Sequence, residues 1–403
     1  MNRKISLGMA VTIVILAMTV TFSITMLLAM RLFDSTVSSV KEKESMYNKL
    51  AEVDRYVRGN DYYDIDETVL YDRLSAGYLL GTGDKYARYF SATAYTELMN
   101  TQNGTLIGIG VELAVDQSGY AKVIKVYDES PAKEAGIQVG NYITAVDGDD
   151  VKSMSGVDAV QTRLRGESGT SVKVTWLDSE ASEHNADLTH SGYTATTVDS
   201  ALLQDSVGYI KIWQFDGTTP SELDYALRSL TASGATSLVF DLRDNAGENL
   251  NAGLVAADYC VPSGEIAKQQ DRDGNVTVLR MSDENEINVP MVCLVNGATS
   301  SSAELFANAL RKMGGATIVG TKTAGMGVVL SDVQSFSDGS AAYITSGLLL
   351  DNEDQSWNNE GLKPDIDATL SVDEQNSYYD YTIDTDPQIS KAVNAAMSLT
   401  GQN

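Results

Sequence analysis

The chain has 403 residues, enough for two or three domains at about 100–200 residues each. Its 55 acidic and 29 basic residues leave a formal charge of -26, which excludes the basic stripe a nucleic-acid binder needs to displace counterions from phosphates. A hydrophobic share of 43% with 21% charged residues excludes a wholly disordered chain, and two cysteines exclude a disulfide-dense scaffold or a multi-thiolate zinc site. The only histidines, His184 and His190, leave little for a metal centre, so no metal or organic cofactor is expected.

In chain order, residues 5–30 carry no charged side chain, and this run of 26 exceeds the roughly 20 that span a bilayer. Arg3 and Lys4 precede it, it is long for a signal-peptide core, and no A-x-A site precedes Arg31. Residues 1–34 therefore read as a cytoplasmic stub and transmembrane anchor. They contain three basic and one acidic residue, so the remaining 26 basic and 54 acidic residues give a body of charge -28. Such a body is expected outside the cytoplasm, standing off an anionic lipid surface. Residues 35–100 read as a helical region, with Leu50, Val53 and Val57, then Leu70, Leu74 and Tyr78, at helical spacing. Residues 101–190 turn to short β-rich runs (VIKVY, YITAV, SVKVTW) between Gly and Asp turns, the pattern of a small mostly-β domain.

Within 191–370 strand and helix patterns alternate. VGYIKIW, TSLVFDL and MVCLVN read as strands, while Leu223, Ala226, Leu227 and Leu230, then Leu305, Phe306, Ala309, Leu310 and Met313, form helix faces. This alternation predicts an α/β layer domain with a covered sheet, so the whole is a multidomain α+β and α/β chain. Residues 371–403 are polar and acidic and read either as a terminal helix or as a loose tail.

Three segments carry candidate chemistry. In GTLIGIGVEL (104–113), Gly108 and Gly110 allow positive φ, so successive amides can converge on a carboxylate, although a tight turn explains the same glycines. It is followed by SPAKEAGIQVGNYITAVDGDDV (130–151) and LRGESGTSVKVTW (164–176), and together these resemble a PDZ domain, which binds chain ends by β-augmentation. The resemblance makes Ile107, Gly108, Ile109, Gly110 and Val111 the peptide-binding positions. At 296–304, NGATSSSAE joins a strand to a helix. Ser301 and Glu304 fit a capping box that needs no catalysis, yet a serine at such a turn also exposes its hydroxyl beside helix N–H groups suited to an oxyanion. DRDGNVT (271–277) and DGDD (147–150) read as turns, because Ser282 stands where a calcium loop needs a bidentate Glu. Both histidines fall in the polar stretch EHNADLTH and read as an exposed turn or strand end. Cys260 and Cys293 sit in apolar runs and read as buried, with free thiols or a bridge both open.

The segments GDKYARYFSATAYTELMNTQNGTLIGIGVEL, the PDZ run, VGYIKIWQF, LVFDLRDNAG, NGATSSSAE and GLKPDI occur in the order found in the carboxy-terminal processing (tail-specific) peptidases. The chain resembles that family over about residues 40–370. The resemblance implies a Ser-Lys endopeptidase in which a PDZ domain reads the substrate's C-terminus and a buried neutral lysine is the general base. It implies Ser301 as the nucleophile position, with Ser300 and Ser302 as neighbours one residue away. It also implies the Gly247 and Ser302 amides as oxyanion donors, and Asp241, Arg243 and Asn245 as scaffold.

The chain departs from the family pattern at the base. The aligned Gly-Lys-Gly is Gly325-Met326-Gly327, the glutamine four residues on is Leu330, and the second glycine of the N-x-G-G loop is Glu248. Met326 has a lysine-like stem and no amine. Lys322 substitutes only if the loop repacks and otherwise reads as a solvated surface lysine. Two functions follow: a membrane-anchored serine endopeptidase acting outside the cytoplasm, or a catalytically silent relative that keeps groove and cleft as a peptide-binding or scaffolding module. The expected partners are a protein or peptide with an apolar C-terminus and the membrane. A homo-oligomer is compatible with the sequence.

Overall fold

The computed structural model describes residues 7–102, 105–284 and 286–401. Two compact units are present, Met1–Leu74 and Ser75–Asn403. In the first, one helix runs over Leu7–Asn60. Its apolar side chains Leu16, Met18, Val20, Phe22, Ile24 and Met26 are all exposed, as are Leu50 and Val53 on the face that the spacing marks as apolar. Among the described residues no helix is long and apolar enough to cross a membrane. The uncharged run at 5–30 falls partly outside them: residues 5 and 6, and the side chains of 7, 9–15 and 27–29, are not described.

The second unit holds a small β domain and a larger layered one. In the β domain the strands lie in the spatial order Val111–Val115, Ala121–Val126, Tyr142–Val146, Ser171–Leu177 and Glu183–Thr189, all antiparallel. They enclose Val123, Ile143 and Val174, each fully buried, with the helix Val157–Arg163 against the first strand. His184 is exposed beside Asp178. His190 departs from the exposed position expected of it: it is buried, within 2.8 Å of the Thr170 hydroxyl and 3.1 Å of the Leu164 carbonyl. Gly166 has no side chain, and the imidazole fills the space left there.

The layered domain is built on a sheet with the order Val198–Leu202, Val207–Ile212, Ser237–Asp241, Met291–Val295, Thr317–Gly320 and Ile366–Asp367. Its first pair is antiparallel and the rest are parallel. Every residue of Val207–Ile212, Ser237–Asp241 and Met291–Val295 is buried, because helices cover both faces. Thr219–Ala232, Leu250–Asp258 and Ser302–Gly314 pack on one face, where Phe306 meets the rings of Phe215 and Phe240 at 5.7 and 5.2 Å. The other face is closed by Pro387–Thr400, capped by Asp386, through Ile389, Ala392 and Ala396. Of the two readings of the C-terminal stretch, the helix is the one observed. Cys260 and Cys293 are buried free thiols.

A polar knot ties these layers where the strands end towards the site. Asp241 accepts from the Tyr209 hydroxyl at 2.8 Å and from Arg243 at 2.6 Å, with the Lys211 ammonium 3.4 Å away. Arg243 continues to Asp386 at 2.8 Å and Gln388 at 2.9 Å, so the guanidinium pins the terminal helix to the loop that follows the strand. Burial alone would raise the Asp241 carboxyl, but Arg243 and Lys211 hold it well below the usual carboxylate range. Its contribution to stability is therefore complete above the unfolded carboxyl pKa of about 4 and is lost as the pH falls below that value. Asp241→Asn leaves two buried cations short of a counter-charge. It is expected to cost about 3–5 kcal/mol in urea denaturation at neutral pH and to flatten the loss of stability below about pH 4.

Candidate active site and peptide groove

The strand Met291–Val295 ends in the turn 296–300, and the helix Ser302–Gly314 begins immediately after Ser301. Ser301 and Glu304 do form a capping box, with the Ser301 N–H donating to Glu304 Oε2 at 3.1 Å. Its backbone is nevertheless unlike an ordinary cap, which is extended: Ser301 sits at φ 52°, ψ -119°. A non-glycine residue held there is strained, and strained strand-to-helix turns present nucleophilic serines elsewhere. The neighbouring hydroxyls are committed. Ser300 Oγ donates to the Ala246 carbonyl at 2.8 Å and Ser302 Oγ to the Gly247 carbonyl at 3.0 Å. Among the described residues the half-buried Ser301 hydroxyl donates to nothing.

The loop after Asp241 packs directly on this turn. Asn245, fully buried, donates to the Ile212 carbonyl at 2.8 Å, and its own carbonyl accepts from the Ser300 N–H at 3.0 Å. Gly247 has φ +65°, and a side chain there would collide with the Ser300 carbonyl and the Ser302 amide, so glycine is required. Both amides expected to form an oxyanion hole are already donated within the chain: Gly247 N–H to Asn245 Oδ1 at 2.9 Å, and Ser302 N–H to the Gly247 carbonyl at 3.4 Å.

Glu304 brings the aligned base position to the serine. Its carboxylate is fully buried and accepts from the amides of Ser301, Gly325 and Met326, the last two at 2.8 Å, and from the Thr323 hydroxyl. Burial pushes its pKa up, and these four donors oppose the shift. Ser301 and Met326 thus meet through one oxygen, Oε2, with the Met326 side chain half-buried and Leu330 half-buried at the end of the strand Val328–Leu330. Lys322 is exposed and makes no hydrogen bond or ion pair among the described residues.

The GDKYARYF segment, which no local pattern links to the site, buttresses this loop. The Tyr86 hydroxyl donates to the Gly325 carbonyl at 3.3 Å, and Lys85 Nζ reaches Asn359 Oδ1 at 2.6 Å. Asp84 accepts from the Thr345 N–H at 2.7 Å.

In the β domain, Gly110 has φ +79° and lies against Ser130, while Gly108 does not adopt the positive φ anticipated for both glycines. Pairing of Thr105–Gly108 with Ser191–Thr194 keeps Gly108 extended, and the chain turns two residues later. The carbonyls of Ile109 and Gly110 accept from Ala132 and Tyr127. Their N–H groups, on buried residues, are donated to nothing among the described residues, which is the arrangement an entering carboxylate satisfies. These amides line a cavity of about 670 Å³, together with Val111, Leu164 and Tyr193. The cavity also reaches Gln214 and Glu248 of the layered domain, which sequence reasoning did not connect to the groove.

The family model for peptidase family S41 matches residues 206–368, and a PDZ domain model matches residues 122–178. The chain is 27% identical over 333 residues to the carboxy-terminal processing protease CtpA of Bacillus subtilis, covering 82% of this chain and 71% of that one. It is 30% identical over 295 residues to the carboxyl-terminal-processing protease of Synechocystis sp., covering 71% and 68% of the two chains. Among solved structures, the photosystem II D1 C-terminal processing protease superposes with a TM-score of 0.51 at 25% identity, over 87% of this chain and 92% of that one. With a PDZ domain ahead of a layered peptidase core, and 30% identity to a carboxyl-terminal-processing protease, the chain belongs to the C-terminal processing peptidases of family S41.

Proposed function

We propose that this protein captures the C-termini of proteins or peptides in its PDZ groove and holds them beside a peptidase cleft that has lost its general base. The carrying observation is the shared carboxylate oxygen: Glu304 Oε2 binds the amides of both Ser301 and Met326, so the residue in the lysine's slot is a thioether that takes up no proton. The engaged Gly247 and Ser302 amides support the same reading. The free amides of Ile109 and Gly110 suit a terminal carboxylate, and Ile109, Val111 and Leu164 suit an apolar last side chain.

Hydrolysis is the second reading, and one observation favours it: the strained backbone and undonated hydroxyl of Ser301 are kept. Incubating the full chain with an unfolded protein bearing an apolar C-terminus separates the two. We expect little or no cleavage by the wild type. A gain of about 10²–10⁴-fold is expected in Met326→Lys, abolished when Ser301→Ala is added. Efficient wild-type cleavage lost in Ser301→Ala would establish hydrolysis instead, and its loss in Lys322→Ala would identify a displaced base.

We further propose that residues 5–30 anchor the protein in the cell membrane by a single pass, with the body outside the cytoplasm. The support is the uncharged run of 26 residues and the apolar side chains exposed along its helix. The full chain should resist alkaline extraction from membranes and be cut by protease added from outside. Deletion of residues 1–34 should release it, and extraction of the full chain at alkaline pH would count against an anchor.

A further inference from the structure

The cavity at the PDZ loop carries an imbalance of charge unusual for a site that receives a carboxylate. Glu97, Glu112, Glu167 and Glu248 line it, against Arg165 as the cation of the lining. Two of these acids, Glu112 and Glu248, form no ion pair among the described residues. Glu112 accepts the Tyr127 hydroxyl on Oε1 at 3.0 Å, and its Oε2 has no partner among the described residues. Glu248, exposed at the mouth on the loop beside Gly247, has neither hydrogen bond nor ion pair there. Burial raises the pKa of the Glu112 carboxyl, and the Tyr127 hydroxyl, Arg165 and Lys125 offset part of the shift; at Glu248, on the rim, water displaced by the surrounding protein raises the pKa, Asp216 and Glu112 raise it further, and Arg165 and Arg88 oppose it. Two carboxylates without an ion pair among the described residues, beside two undonated amides, form a mixed site in which the anion position and the cation position line one cavity.

An extended peptide lying along Val111–Val115 sends successive side chains to opposite sides. If its terminal carboxylate meets the Ile109 and Gly110 amides and its last side chain the apolar wall, the preceding side chain is the one free to reach the acids. We propose that Glu112 and Glu248 select tails with a lysine or arginine immediately before an apolar terminal residue, and reject tails with an acid there. This inference rests on the groove binding C-termini, as argued above, and adds the residue class it prefers.

Three fluorescent ten-residue peptides that differ only in ending Lys-Leu, Gln-Leu or Glu-Leu test it by anisotropy against the full chain in detergent. The expected order of affinity is Lys over Gln over Glu, with about tenfold between the first two at low salt and less at high salt. In Glu248→Gln the ratio between the Lys and Gln peptides should fall to within about threefold, and in Glu248→Lys the Glu peptide should overtake the Lys peptide. Equal binding of all three peptides, or an unchanged ratio in Glu248→Gln, would overturn the selectivity while leaving the groove reading intact. No binding by any of them would overturn both.

Discussion

One buried carboxylate sets the geometry on which the site depends. Glu304 is removed from water at the start of a core helix, and a charge there is tolerable only when hydrogen bonds replace its hydration. It obtains them from the turn at Ser301, from Thr323, and from the amides of Gly325 and Met326. Three of the four donors are backbone N–H groups, so the arrangement is indifferent to the side chain at position 326. The loop is held in place for a base whether or not a base is present. Because the Met326 contact with Glu304 is made by its backbone, the loop and the strained Ser301 are compatible with a side chain at 326 that has no amine.

The second constraint is the loop Asp241–Glu248, which is sewn to the serine turn by short bonds from both sides. Ser300 and Ser302 give their hydroxyls to it, and Asn245 fastens it to the end of the strand Val207–Ile212. The cost of this closure is that the amides of Gly247 and Ser302 face inward to the chain. Each is a neutral hydrogen bond whose net worth is about 0.5–1.5 kcal/mol, the second of them long at 3.4 Å. Reorienting the peptide at Gly247 is therefore a small expense next to the several kcal/mol that a base contributes to the transition state and that the proposed reading removes. On the proposed reading, the chemistry at 326 outweighs the conformation at 247 as an obstacle to turnover.

What could be read from the sequence, and what could not, follows the range of the forces involved. The parallel strands announced themselves as unbroken apolar runs because both faces are buried, and the helix after Ser301 did so by spacing. The terminal helix was ambiguous because its buried residues are Gln388, Ile389 and two small alanines, Ala392 and Ala396, so its inward face makes little apolar pattern, and the acids of the stretch all precede the helix. His190 was misplaced because the space that buries it is made by Gly166, far enough away in sequence that no local pattern links them. The choice among Ser300, Ser301 and Ser302 rested on alignment alone, since three identical side chains differ only in backbone angle and in which carbonyl each hydroxyl meets. The buttressing of Gly325 by Tyr86 joins residues from opposite ends of the unit and leaves no periodic trace. The departures at Met326, Leu330 and Glu248 were legible from resemblance, but not that the third of them faces the peptide groove.

That last placement joins the two halves of the site. Within one short loop, Asn245 bonds the Ser300 amide, Gly247 bonds Ser302, and Glu248 lines the cavity shared with the PDZ strand. A glycine at 248 would leave that stretch of wall without a side chain or a charge. A glutamate there gives the groove a charged group carried on the segment that packs against the serine turn. On the proposed reading the two ends of the site differ in character: an uncharged thioether stands at the position aligned with the family's lysine, and an anion stands where a tail would arrive. On that reading the first withholds the means of cutting a bound tail and the second narrows which tails the groove accepts, a combination suited to recognition more than to turnover.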